Sequence, residues 1–401
     1  MKRLIAAAVS LMLVVALLAG CGQPAKPAEP AKPAEPPKPA GPEPIKFGYL
    51  AHVTGDGAVW GQAEVNGAKI AIEEINKAGG VLGRPLEMIV ADGRGNAADS
   101  VNAVKKVLSE HKIVALLGSN YSGVNIATGA VVAEAKIPQI GSFATNPKVT
   151  VDDAGNPKPW SFRLCFIDPY QGKVIAHFLY KEIGKKSAAV LYDVTSDYST
   201  GLTEYFIKSF EALGGKVVGK WAFKEGDVDF RPQLSQIKAK KPEAIVLPNL
   251  YKEIALPAKQ ARELGIKDAV FMGGDGASVK MLEMAGPELQ GSFWVTHMSI
   301  EDPPIAELDK KYTAKFGKSE EWSNFTMGYD LTYFLADCIK RAGKAEGQAI
   351  RDAAEAAKDV KLAQGPITMD PKTHNPLDKV ASILQAKGDK LVFYKKYAPK
   401  D

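Results

Sequence analysis

From Ile45 onward the chain alternates strand and helix patterns with few interruptions, and this alternation constrains its fold more than any other feature. Residues 45–50 read as a strand. Ala68, Ala71, Ile72 and Ile75 then recur at i, i+3, i+4 and i+7, which is one face of a helix. Gly79-Gly80 supplies its stop. Strand, helix, strand, helix and strand follow at 86–91, 97–110, 113–117, 124–136 and 137–141. Residues 113–117 are continuously apolar, as in a parallel strand covered on both faces. The alternation restarts near Trp160. Strands are expected at 161–167, 188–192, 216–222, 244–248 and 269–272, with helices at 172–183, 202–213, 232–240, 254–264 and 278–285. Residues 303–358 read as mostly helical. Residues 380–385 and 391–397, around Gly388, read as a closing hairpin. The expectation is an α/β protein of two doubly wound, Rossmann-like lobes joined by a hinge, with a ligand cleft between them. The length beyond Ile45 exceeds the usual single domain and favours two lobes.

The N-terminus addresses the compartment. Lys2 and Arg3 precede a nearly unbroken apolar run that ends Leu18-Ala19-Gly20-Cys21. The run is too short for a comfortable membrane span, which needs about 20 apolar residues. It has the regions of a secretory signal peptide, and its end matches a bacterial lipobox, in which Cys21 is lipidated. The expectation is a signal peptide over 1–20 and a lipidated, Pro-rich linker over 21–44. Ala25-Lys26-Pro27-Ala28-Glu29-Pro30 repeats as Ala31-Lys32-Pro33-Ala34-Glu35-Pro36, with no large apolar side chain. Such a segment favours an extended polyproline spacer reaching about 70 Å. The net charge of +5 is small for this length and forms no basic stripe, so nucleic-acid binding is not indicated. Cys165 and Cys338 are expected as buried free thiols.

In open parallel sheets, ligands bind beyond the carboxyl ends of strands. Gly118-Ser119-Asn120-Tyr121-Ser122-Gly123 lies there, before a helix. Ser122 at that helix N-terminus suits an anion, although the same residue could serve only as an N-cap. Thr145 follows the next strand, in Gly141-Ser142-Phe143-Ala144-Thr145-Asn146-Pro147. Two hydroxyls on consecutive strand ends make a carboxylate site plausible.

At these residues the sequence resembles the branched-chain amino-acid binding proteins, the type I periplasmic solute-binding proteins of ABC importers. The resemblance runs over nearly all of 45–401. It is carried by 67–80, the 118–123 turn, 137–147 and 192–198. It implies that Ser122 and Thr145 hold a ligand carboxylate and that Tyr198 closes over it from the second lobe. Asp275, in Gly273-Gly274-Asp275-Gly276, falls where the family has an acidic partner for the α-ammonium. Trp60 occupies a place of family aromatics, and Leu250 stands where a tyrosine reaches the ligand. Tyr121, Phe143 and Tyr170 complete the expected walls. The resemblance implies lobe 1 from 45–167 plus about 299–372, and lobe 2 from 168–298 plus about 373–401. It implies an amino-acid ligand with branched-chain specificity, an ABC permease partner, a monomer, no cofactor and no catalysis. Export would leave the chain lipid-anchored outside the cytoplasmic membrane or in the periplasm.

Competing readings find little support in the residues. No Walker A loop, His-Glu-x-x-His or Cys-x-x-Cys occurs, and His52, His111, His177, His297 and His374 lack metal-ligand spacing. Asn120 replaces a glycine that a nucleophile elbow needs. A sensor acting through a separate partner remains open, as do an aromatic carboxylate or a small amide such as urea as ligand.

Overall fold

The computed structural model describes residues 41–55 and 57–400. The expected signal peptide, Cys21 and most of the expected linker lie outside them. Two sheets organise the described chain. The first lobe holds β1 (Ile45–Ala51), α1 (Ala58–Lys77), β2 (Leu86–Asp92), α2 (Ala97–Glu110), β3 (Leu116–Gly118), α3 (Ser122–Ala135), β4 (Gln139–Gly141) and β5 (Ser161–Arg163). Its strands are parallel in the order β2-β1-β3-β4-β5.

The second sheet follows α4 (Asp168–His177). It takes β6 (Ser187–Asp193), α5 (Asp197–Ala212), β7 (Lys216–Phe223), α6 (Arg231–Lys240), β8 (Ala244–Leu247), α7 (Tyr251–Glu263), β9 (Val270–Gly273), α8 (Lys280–Leu289) and β10 (Phe293–Thr296). The chain then returns to the first lobe with α9 (Pro303–Phe316), α10 (Trp322–Ala342) and α11 (Gly347–Glu355). It ends in the hairpin of β11 (Ala381–Lys387) and β12 (Lys390–Tyr397). The order is β12-β11-β10-β9-β8-β6-β7, with the hairpin antiparallel to an otherwise parallel sheet. Strands such as 115–117 and 244–247 are buried on both faces, which their unbroken apolar composition requires.

Two expectations needed adjustment. The strand expected over 161–167 pairs only to Arg163, because the chain there leaves the first sheet for α4. β10 was not anticipated. It is four residues long, with Trp294 fully buried at its centre. Cys165 and Cys338 are free and buried, and burial pushes each thiol up to about 12.

Close packing of α10 on α1 fixes where the start of α10 stands. A Cβ on Gly67 would sit 1.9 Å from the Phe325 carbonyl oxygen, and one on Gly328 would sit 1.9 Å from that of Glu64. Only hydrogen at both positions lets the two helix backbones approach so closely. Among the described residues no helix is long and apolar enough to cross a membrane.

Candidate ligand-binding cleft

A cavity of about 330 Å³ lies where the carboxyl ends of both sheets' strands meet. Its walls come from the loops after β2, β3, β4, β6, β8 and β9, with the start of α10 closing one side. Trp60, Tyr121, Ser122, Phe143, Tyr198, Leu250 and Asp275 all line it.

The first-lobe end is built around Ser122. It is the first residue of α3, and no side chain caps that helix. Ser122, Gly123 and Val124, whose N–H groups have no partner within the helix, line the cavity. The Ser122 hydroxyl accepts the Asn146 N–H at 3.1 Å, which ties the β3 loop to the β4 loop. His52 braces the neighbouring turn. Its Nδ1 accepts the Gly95 N–H at 2.9 Å, so its Nε2–H donates to the Ser119 hydroxyl at 2.9 Å. Burial holds this imidazole down to about 4, and it is neutral at physiological pH. Its ring lies 4.5 Å from that of Tyr121 and fixes this wall.

The second-lobe end is built around Asp275, beyond β9. The side chain is 6% exposed. One carboxylate oxygen accepts from Gln171 at 2.8 Å, and the other lies 2.7 Å from His297 Nε2. Burial lowers the His297 pKa despite Asp275. The neutral ring therefore spends its single N–H on the carboxylate. It also stacks on Phe166 with centroids 3.6 Å apart. The Tyr198 hydroxyl accepts the Gly276 N–H at 3.3 Å, and burial pushes this phenol well above its ordinary value. Asn249 locks the β6 and β8 ends by accepting from Ser199 at 2.8 Å and donating to the Leu191 carbonyl at 2.9 Å.

Two expected site residues stand elsewhere. Thr145 is fully buried and does not line the cavity. Its hydroxyl lies beside the Asp168 carboxyl. Tyr170, expected as a wall, packs on the closing hairpin and is not among the lining residues. Its hydroxyl receives the Ala381 N–H at 3.2 Å and donates to the Tyr397 carbonyl at 3.4 Å. These bonds hold it against the closing hairpin, away from the cavity. Conversely, His297, Asn249, Glu321 and Trp322 line the cavity without having been singled out. His297 and Asn249 follow β10 and β8, so the strand-end rule reaches them once those strands are drawn.

The cavity's charge is one-sided. Seven carboxylates line it, those of Asp193, Asp197, Glu225, Glu253, Asp275, Glu320 and Glu321, and no Lys or Arg does. Burial raises Glu253 and Glu321 to about 7. Among the described residues no group of three or more His, Cys, Asp or Glu side chains could hold a metal ion.

Two parallel-sheet lobes around a cleft at their strand ends define a solute-binding protein. The family profile of the periplasmic binding protein matches residues 44–390, and the chain belongs to this family, among its type I branched-chain amino-acid members. These are binding proteins and not enzymes. The Leu/Ile/Val-binding protein BraC3 of Rhizobium johnstonii is 30% identical over 328 residues, covering 81% of this chain and 87% of that protein. The crystal structure of a leucine binding protein LivK from Thermotoga maritima superposes with a TM-score of 0.82 at 31% identity, covering 88% of this chain and 99% of the other. That of LivJ from Streptococcus pneumoniae, a branched-chain amino-acid transporter substrate-binding protein in complex with isoleucine, gives 0.81 at 27% identity, covering 89% and 100%.

Proposed function

We propose that the chain is an exported lipoprotein that captures an α-amino acid, branched and aliphatic, and hands it to an ABC permease. The observation that carries the ligand class is the polarity of the cleft. An uncapped helix N-terminus with Ser122 stands on one lobe, and Asp275 stands on the other. The first suits a carboxylate and the second an ammonium, and each contact is charge-assisted. Trp60, Tyr121, Phe143 and Leu250 supply apolar wall between them. A bare aromatic carboxylate suits this cavity less well, because seven carboxylates and no cation line it. The named relatives, which include Leu/Ile/Val-binding and leucine binding proteins, support the same ligand class.

Capture follows from geometry. A ligand that touches both lobes when the cleft is shut, and one lobe when it is open, shifts the population toward the shut form. A thermal-shift panel of the twenty amino acids, benzoates and small amides tests the reading. The melting temperature is expected to rise with leucine, isoleucine or valine. A rise confined to benzoates or amides would overturn the amino-acid reading and leave the fold untouched.

The Cys21 tether gives a separate expectation. Cys21→Ser should leave leucine affinity in solution unchanged and abolish retention in the membrane fraction, as read by detergent-phase partitioning. Membrane retention of that variant would remove Cys21 as the anchor.

A further inference from the structure

One carboxylate in the cleft wall has a partner on the opposite lobe. Glu321 precedes α10, which packs on α1 of the first lobe through Gly67 and Gly328. Ser278 lies in the loop between β9 and α8 of the second lobe. The Ser278 hydroxyl donates to Glu321 Oε1 at 2.5 Å, and the two residues are 2% and 7% exposed. The indole of Trp60, on the first lobe, lies beside the same carboxylate. Trp60 itself meets Tyr251 of the second lobe edge-on, with ring centroids 5.2 Å apart. Asp275 shares the loop of Ser278, but Gln171 and His297 engage it, and it makes no bond to Glu321.

We propose that Ser278 and Glu321 form a latch across the cleft, made only when the two lobes approach. Opening would return water to the Glu321 carboxylate, and closing would remove it. Closure therefore changes the proton affinity of this group. The groups around it do not neutralise it. Lys280 lies near from α8 but is paired with Glu283 at 2.7 Å. Glu320 is a like charge from its own segment. Glu64, on α1, is turned to Tyr49 and Asn324. Tyr251, on α7, is felt by Lys280. Burial consequently dominates and raises Glu321 to about 7, against an ordinary value of 4.5. The shut form binds more protons than the open one. Closure is then favoured as pH falls. Affinity drops as pH rises through the window from 4.5 to about 7 and is level above it. The steepest slope is about tenfold per pH unit.

This rests on the reading of the cavity as a closing amino-acid site, and the two can fail separately. Calorimetry with L-leucine at pH 6.5, in buffers of different ionisation heat, should show uptake of about 0.7 proton per ligand bound. Glu321→Gln, an amide that mimics the protonated acid, should bind leucine with about 0.7 proton less uptake and a flatter pH dependence, Glu253 on the same wall keeping its own contribution. Uptake undiminished in Glu321→Gln, or none in the unaltered chain, overturns the latch. If leucine produces no heat at all, the ligand reading fails, and the latch is still tested without ligand. In 5-fluorotryptophan-labelled protein, the ¹⁹F resonance of Trp60, assigned by Trp60→Phe, should titrate between 4.5 and about 7, at a midpoint set by how much of the ligand-free chain is shut. Ser278→Ala should raise that midpoint, although Ser278 and Trp60 lie on different lobes, because the Ser278 hydroxyl donates to the charged carboxylate and favours it. A Trp60 resonance that ignores pH between about 4 and 8.5, or a midpoint that Ser278→Ala leaves unchanged or lowers, overturns the proposal.

Discussion

Asp275→Ala is expected to weaken L-leucine binding by more than about 2 kcal/mol, or roughly thirtyfold, in calorimetry at neutral pH. The α-ammonium of a bound amino acid is stripped of water when the cleft shuts. In this reading Asp275 is the carboxylate beyond β9 that replaces that water. Its geometry is fixed before any ligand arrives, because Gln171 and His297 hold one oxygen each at 2.8 and 2.7 Å. Each carboxylate oxygen has two lone pairs, so both bonds leave an acceptor direction free. Removing the side chain leaves a desolvated cation without its partner, which costs more than the lost bond alone. It also frees the Gln171 amide and the His297 N–H, so some folding stability is lost as well. Denaturant unfolding without ligand separates that second loss from the first. Asp275→Asn keeps the shape and should bind leucine almost as poorly. Leucine affinity within twofold of the unaltered chain in either variant would remove Asp275 from the ammonium site.

The features that sequence alone revealed share a local origin. Apolar runs such as 113–117 and the stop at Gly79-Gly80 depend on near neighbours, so the βα order and the two sheets followed from them. Ser122 was found because a strand end and a helix start meet within a few residues. Asp275 came from the family resemblance, and it too stands beyond a strand. The residues that stand off the cavity, or reach it unexpectedly, are placed by distant packing. Tyr170 lies close to a crossover in sequence, but its hydroxyl is claimed by Ala381 and Tyr397, more than 200 residues away. Thr145 follows the right strand, and its buried hydroxyl lies near the Asp168 carboxyl. Glu321 carries no local signal at all. It reaches the cleft because two glycines let α10 lie against α1, and Asn324 bonds Glu64 across 260 residues of chain. β10 was missed because four residues hold too short a pattern to tell a strand from a loop, and His297 was missed with it.

Arg163→Met is expected to cost about 3–5 kcal/mol of folding stability in denaturant unfolding, and to weaken the ligand site in the molecules that fold. Arg163 ends β5 and has no exposed surface. Its guanidinium donates to the Ala144 carbonyl, to the Asn146 carbonyl at 2.8 Å and to the Thr150 hydroxyl at 3.1 Å. These acceptors bracket Thr145, so one side chain shapes the whole loop beyond β4. Burial pushes the guanidinium pKa down, with Cys165 and Asp168 nearby working against that shift. Methionine can fill much of the volume but offers no donor. The Ala144 carbonyl would then be left without its donor, while the Asn146 carbonyl keeps the Val149 N–H and the Thr150 hydroxyl keeps Asn375, so that three bonds to a charged donor are lost at about 1.5–3 kcal/mol each. Relief of the buried charge offsets part of that sum, which brings the net into the stated range. The loop also presents the Asn146 N–H to Ser122 and the Asn146 side chain to the Asp197 carbonyl at 2.7 Å on the second lobe. Loosening it should blur the carboxylate end and the lobe contact together. Arg163→Lys separates shape from charge. One ammonium cannot span three acceptors that a planar fork holds at once, so most of the loss should remain. A stability change below about 1 kcal/mol in Arg163→Met would show that the loop holds its own conformation without the arginine.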